Sequence, residues 1–349
     1  MSSVELTYPE KEKQSLALTE SVLVRFSNLS VGFGPVGRET VVVRNFSMDI
    51  KRGKTVALIG ESGSGKSVTA LALMGLLPKD TGRVTSGEIL WFNSQEHTDL
   101  CFLTDQQMRS RRGRNIGMIF QEPMTALNPV FTVGNQLEEA IRVHQQLGRQ
   151  QVREAALELL ERVEMSDPER QMKSYPHELS GGMRQRVMIA MAFACKPQLL
   201  IADEPTTALD VTIQAQIMDL IADLQAQHGL AVLFITHDLS VVAETADDVA
   251  LMYAGQIVES GPVERIIEES RHPYTRALLA SVPHIDGERN NRLYALPGSL
   301  PNPGETPAGC IFSDRCPHLQ KGLCDIEPPS LHAVNEHHEV YCHLWNSLI

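Results

Sequence analysis

At 349 residues, 42% of them apolar, the chain can bury a full core in one large domain with an appendage, or in two domains. A formal net charge of −12 argues against nucleic acid as a partner, because a phosphate backbone is held by surplus Lys and Arg. No apolar run is long enough to cross a bilayer. Residues 1–21 lack the apolar stretch of a signal peptide and read as a flexible N-terminal extension of a cytosolic chain.

Residues 22–31 read as a strand, followed by a Gly- and Pro-rich loop at 33–37. Two more strand-like runs, 40–43 and 46–50, lead through a turn at 51–54 into a wholly apolar one at 55–59. The next residues are Gly60, Glu61, Ser62, Gly63, Ser64, Gly65, Lys66 and Ser67, and from Val68 to residue 74 the pattern is helical. Strand, glycine-rich loop, Lys-Ser and helix are the parts of a P-loop. Its glycines let backbone N–H groups point inward at phosphate oxygens, with the positive end of the helix behind them. Lys66 is placed to reach the β- and γ-phosphates and the Ser67 hydroxyl to hold Mg²⁺, so the chain is expected to bind a nucleoside triphosphate.

Residues 78–87 read as a polar loop and 88–92 as a short strand. The basic run 109–114 suits a solvated face, a phosphate contact or a contact with a membrane protein, and 115–120 a buried strand ending at Gln121. Between 133 and 166 the spacing turns helical (Leu137, Ile141, Leu157, Leu160, Val163), which marks a helical insertion of about 122–185 in an α/β protein. A helix over 187–195, a strand over 198–202 and then helix 213–224, strand 231–235, helix 239–246 and strand 249–253 predict a parallel sheet with helices on both faces. From about 283 the composition shifts to Pro, Gly, Asn, Cys and His, which predicts a separate small module over 283–349 beside a main domain at 22–282.

The apolar strand at 198–202 runs into Asp203 and Glu204. Asp203 suits a Walker B carboxylate beside Mg²⁺, and Glu204 a general base for the attacking water. Gln121 and His237 each stand at a predicted strand end, where they could touch Mg²⁺, the γ-phosphate or the water. Ser180, Gly181 and Gly182 open a helix and form a second anion-binding terminus. One γ-phosphate does not need two such cradles from one chain, so a second subunit is expected, with Asp210 near the seam.

The P-loop, Gln121, Leu-Ser-Gly-Gly, Leu-Leu-Ile-Ala-Asp-Glu, Ala-Leu-Asp and His237 follow one another as in the ATP-binding-cassette ATPases, and the chain resembles that family over roughly 22–281. The resemblance implies a P-loop NTPase cassette with an antiparallel β subdomain and a helical signature subdomain. It also implies a head-to-tail dimer with ATP between the Walker motifs of one cassette and the signature of the other, and Phe33 as the ring stacked on adenine. His272-Pro273-Tyr274-Thr275-Arg276-Ala277-Leu278-Leu279 and the Cys-rich tail look like the ATPase subunits of oligopeptide, dipeptide and nickel importers, the dipeptide type above all. That likeness implies a partner ATPase of a second kind, two membrane permease subunits, a solute-binding protein acting indirectly, and a place on the cytoplasmic face of the inner membrane. The solute would be a peptide, with nickel or other metal complexes as the alternative and a soluble ATPase outside transport behind both.

Cys310, Cys316, Cys324 and Cys342 are separated by five, seven and seventeen residues, and Pro317 follows Cys316. Zinc bound by four cysteines normally uses Cys-x-x-Cys knuckles, which are missing here, whereas a [4Fe–4S] cluster accepts wider spacing. Resemblance to the dipeptide-importer ATPases implies the cluster; zinc and then free thiols stay open, and His337, His338 and His343 read as surface residues or spare ligands. The cluster's role would be to pin a tail with little core of its own.

Overall fold

The computed structural model describes residues 21–93, 96–122, 126–207, 209–281 and 296–348. All but the last residue of the expected N-terminal extension lie outside them. Strands β1 (Val22–Phe33) and β2 (Thr40–Lys51) pair antiparallel, followed by β3 (Thr55–Ile59) and helix α1 (Lys66–Leu73). Strands β4 (Gly82–Phe92) and β5 (His97–Asp99), helix α2 (Asp105–Arg111) and strand β6 (Ile116–Ile119) come next. A helical stretch holds α3 (Val133–His144), α4 (Arg149–Arg162), α5 (Pro168–Gln171) and α6 (Gly181–Phe193). Then β7 (Leu199–Asp203), α7 (Val211–His228), β8 (Ala231–Thr236), α8 (Leu239–Thr245) and β9 (Asp248–Tyr253) alternate. Strand β10 (Gln256–Pro262), helices α9 (Val263–Glu269) and α10 (Pro273–Ala280) and the hairpin β11 (His332–Asn335) and β12 (His338–Val340) complete the chain.

The strands form two sheets, one ordered β2-β1-β4-β5 and antiparallel, the other β11-β12-β10-β9-β3-β8-β7-β6. In the larger sheet β9, β3, β8, β7 and β6 run parallel, and β3, β6, β7 and β8 are buried at every position, as strands covered on both faces must be. Alternate side chains divide between two cores. Val56, Leu58, Ile201, Leu233 and Ile235 join Phe26, Phe46 and Trp91 beneath the antiparallel sheet. Ala57, Ile59, Leu200, Val232 and Phe234 join the helical layer, where Leu137 and Ile141 of α3 and Leu160 of α4 are fully buried.

Several sequence expectations are corrected. The runs at 40–43 and 46–50 are one strand, β2, whose alternation breaks at Asn45, with φ of 45° beside a register irregularity. The expected polar loop at 78–87 is strand from Gly82 onward, because pairing with β1 satisfies its backbone while its polar side chains face water. Gly87, at φ +81°, permits a bulge there, since a Cβ would lie 2.3 Å from the Asn28 carbonyl. Helix α6 runs past the expected end of the insertion at 185, and Ser180 caps it from Gly181 onward. In the basic run, Arg112 is structural: Nε donates to the Met74 carbonyl at 2.8 Å and Nη2 to that of Gly75 at 2.7 Å, holding the end of α1.

The tail is not a separate module. β12 pairs with β10 in the large sheet, and Cys310, Ile311, Phe312 and Cys324 lie in the main core. His338, expected at the surface, is fully buried, with Nε2 2.8 Å from Glu259 Oε1, whose carboxylate also accepts the Arg271 and His272 amides. Phe46 is fully buried and packs edge-on against Phe26 at 5.2 Å between centroids, so Phe46→Ala is expected to cost about 3–5 kcal/mol, read as a lower guanidinium midpoint at unchanged m-value.

Candidate nucleotide-binding site

β3 delivers the P-loop to the carboxyl edge of the parallel strands, where ligand crevices of open α/β sheets form. At Gly60 a Cβ would sit 2.1 Å from the Met252 carbonyl, so only glycine lets the loop turn beneath β9. The Lys66 ammonium donates to the carbonyls of Gly60 at 2.7 Å and Glu61 at 3.0 Å. Burial lowers the Lys66 pKa, against the opposing pull of Glu204, Asp203 and Glu61. The Ser67 hydroxyl donates to Asp203 Oδ1 at 3.1 Å, which joins two of the three expected Mg²⁺ ligands across 136 residues of sequence. Burial raises the Asp203 pKa, and a cation at this pair would relieve that cost. Val68 follows in α1, partly buried against the lower core.

The catalytic candidates meet on Glu204. Its Oε2 accepts from Gln121 Nε2 at 2.9 Å and from the Thr207 hydroxyl at 3.0 Å, and its Oε1 lies 3.3 Å from His237 Nδ1. Glu204 itself stands just beyond β7 at φ 46°, a left-handed conformation costly for a side chain-bearing residue, with its amide bonded to the Ile235 carbonyl. Burial alone would push its carboxyl up, but the hydrogen bonds from Thr207 and His237 prevail and hold it below the usual range.

The second cradle is apart from the first. Ser180 Oγ accepts from the Met183 amide at 3.3 Å as the cap of α6, and Ser180 and Gly181 are exposed. Among the described residues no hydrogen bond links Ser180, Gly181 or Gly182 to the P-loop. Their neighbours are Leu209 and Ile213, within 3.7 and 3.0 Å of where Cβ atoms of Gly181 and Gly182 would lie. Asp210 caps α7, its Oδ1 accepting from the Ile213 amide at 3.0 Å. Phe33 closes β1 opposite Thr40 and Gly82, partly buried, with its ring over Gly82.

Comparison with known proteins names the arrangement. A family described as "ABC transporter" matches residues 43–207, and "Oligopeptide/dipeptide transporter, C-terminal region" matches 258–324. The dipeptide transport ATP-binding protein DppD of Bacillus subtilis is 48% identical over 317 residues, 91% of this chain and 93% of that one. The chain belongs to the ATP-binding proteins of ABC transporters. The oligopeptide transport ATP-binding protein OppD of the same organism is 47% identical over 316 residues, covering 90% of this ATPase and 87% of its own length. The dimeric post-hydrolysis structure of the ATP-binding cassette MJ0796 bound to ADP and Pi is 28% identical, with a TM-score of 0.61 over 69% of this ATPase and 99% of that chain. The cassette fold of this ABC ATPase is thereby shown.

Three contacts of the site were not legible beforehand. Thr207 sits in the Thr-Thr of the strand-end run, where only proximity to Glu204 hinted at a role. The Tyr274 hydroxyl accepts from the Glu61 amide at 3.1 Å. Arg315 Nη1 donates to both Glu61 carboxylate oxygens at 3.0 Å. Both of the last two lie more than 200 residues from the P-loop, and only the His-Pro-Tyr resemblance flagged one of them.

Cys310, Cys316, Cys324 and Cys342 line one small cavity of about 10 Å³ with Phe312 and Leu344. None of the four is in a disulfide. Burial, reinforced by the other thiols, pushes Cys310 up to about 11 and Cys342 to about 12. Among the described residues no group of three or more His, Cys, Asp or Glu is placed to hold a metal ion, so the expected metal centre is not supported by the structure. None of the described helices is long and apolar enough to cross a membrane.

Because Thr207 helps hold the Glu204 carboxyl low, Thr207→Ala should raise that pKa. The acidic limb of the ATPase pH–rate profile then moves to higher pH, and activity is lost sooner as pH falls; an unmoved limb would contradict this account of the carboxyl.

Proposed function

We propose that this ATPase drives import of peptides, di- or oligopeptides, through membrane permease subunits fed by a solute-binding protein. The observation that carries the reading is the union, in one chain, of a full nucleotide site with the C-terminal region of oligopeptide/dipeptide transporters. A place against the cytoplasmic face of the inner membrane follows from that work. Nickel or other metal complexes are disfavoured by the peptide transport names that the relatives share.

ATP is held with Lys66 exchanging the Gly60 and Glu61 carbonyls for phosphate oxygens, the amides of Ser62, Gly63, Ser64 and Gly65 around them and the Phe33 ring against adenine. Ser67, Asp203 and Gln121 would hold Mg²⁺, which supplies positive charge against that developing on the phosphates. Glu204, kept ionised, takes the proton of the attacking water while Gln121, Thr207 and His237 fix its carboxylate and His237 touches the γ-phosphate. Ser180, Gly181 and Gly182 serve a nucleotide on a second cassette, with Asp210 at the seam. That the second cassette is a different ATPase accords with the importer type. Moving such a dimer from mostly open to mostly closed takes about 5.5 kcal/mol of differential binding. Nucleotides contacting both subunits only in the closed form are suited to supply it.

The four cysteines fit a [4Fe–4S] cluster better than zinc. They line one cavity, and what supports the cluster over zinc is their wide sequence spacing without Cys-x-x-Cys knuckles. Bound there, the cluster supplies covalent cross-links to the tail and no step of hydrolysis. Protein purified without oxygen should contain four irons and four sulfides per chain, a [4Fe–4S] complement, and one zinc without iron would overturn that assignment.

In the transporter reconstituted with its permease subunits, Glu204→Gln is expected to cut ATP hydrolysis about 10²–10⁴-fold and to stop ATP-driven uptake of a labelled dipeptide. Wild-type hydrolysis by the variant would remove Glu204 from its role. No dipeptide uptake by the wild type would sink the peptide reading.

A further inference from the structure

We propose that Arg315 is a positioning residue for ATP binding: through the Glu61 side chain it holds the opening turn of the P-loop, so the C-terminal region sets the affinity of the nucleotide site. This rests on the reading of the P-loop as the ATP site.

Glu61 is tied at three points. Its carboxylate accepts from Arg315, its amide donates to the Tyr274 hydroxyl, and its carbonyl accepts from Lys66 and from the Ser64 amide, the latter at 3.1 Å. The Lys66 bond is given up when the ammonium turns to phosphate, which leaves Arg315 and Tyr274 as the ties from outside the loop, beside the loop's own Ser64 bond. Arg315 is suited to this because it cannot move freely. Nε donates to the Pro297 carbonyl at 2.8 Å, Nη1 reaches the Tyr253 hydroxyl at 3.4 Å, and the guanidinium lies 5.7 Å from the Tyr253 ring centroid. Its side chain is 6% exposed against 29% for Glu61, unlike the solvated pairs whose contribution is near zero.

The platform behind Arg315 is itself part of the site. Tyr253 ends β9, and the amide of Gly255 just beyond it donates to the Ser64 carbonyl at 2.8 Å. Phe312, three residues before Arg315, packs on Tyr253 at 5.1 Å and on Tyr274 at 5.6 Å. A loop whose amides must stay free for an anion has few bonds of its own, here the Ser64 amide to the Glu61 carbonyl, so most of its shape has to be imposed from outside. Arg315 and Tyr274 impose it at Glu61.

The test is ATP affinity, by titration calorimetry on full-length protein carrying Glu204→Gln so that the nucleotide is not consumed. Arg315→Ala should weaken ATP binding about tenfold, the equivalent of one charge-assisted hydrogen bond. Glu61→Gln, which keeps the shape of the loop and removes the charge, should do the same, and the double variant should be no worse than either alone. With Glu204 restored, KM should rise while kcat at saturating ATP stays within about twofold, a split expected of ground-state positioning. Arg315→Lys should recover part of the affinity.

Unchanged affinity in Glu61→Gln, or a double variant whose losses multiply, would overturn the proposal even if Arg315→Ala does not fold. Lys66→Ala separates the two readings. If it abolishes ATP binding while the Arg315 and Glu61 variants bind normally, only the positioning role fails; if it too binds normally, the P-loop reading fails first.

Discussion

A phosphate cradle must keep its backbone N–H groups unpaired and aimed at an anion, and that requirement shapes much of this molecule. Such a loop lacks the internal hydrogen bonds that hold a helix or a ladder, so neighbouring elements have to fix it. Here β3 enters through a fully buried strand, α1 leaves into the core beneath the antiparallel sheet, and β9 closes over Gly60 with the Met252 carbonyl. The C-terminal region reaches the same turn through Tyr274 and Arg315. What looks from composition like an appendage is therefore packed against the opening turn of the P-loop.

Parallel pairing does the rest of the assembly. Registers of Ile59 with Thr236, Asp203 with Ile235 and Ile119 with Ala202 bring the carboxyl ends of β3, β8, β7 and β6 to one edge. Gly60, His237, Glu204 and Gln121 each follow one of those ends, so four chain segments far apart in sequence converge without any local motif. The energetic concession is local: Glu204 keeps a left-handed backbone, and a network of Gln121, Thr207 and His237 holds its carboxylate in place.

The helical layer is arranged differently. Ser180, Gly181 and Gly182 open α6 toward solvent and touch their own Leu209 and Ile213, while the P-loop has no bond to them. This helix start, next to the turn that carries Asp210, forms a surface that a second cassette would complete in the reading proposed above. That geometry agrees with the proposed dimer, in which the incomplete half-sites of two cassettes make whole ones.

By itself the sequence located the P-loop turn, the strand-end carboxylates and the alternation of strands and helices, because each rests on contacts within a few residues: glycine at tight turns, apolar runs for buried strands, and a helix opened by Ser180, Gly181 and Gly182. It misread β2 as two runs and the start of β4 as loop, since a bulge at Asn45 and an edge of polar residues look like breaks until pairing with β1 is seen. Tertiary structure alone decided that the tail joins the large sheet, that His338 is buried against Glu259, and that Thr207, Tyr274 and Arg315 belong to the site. Those contacts join residues up to 254 positions apart, or, for Thr207, depend on how one turn folds back. Local periodicity carries no record of such pairings; they exist only once the sheet has set its order.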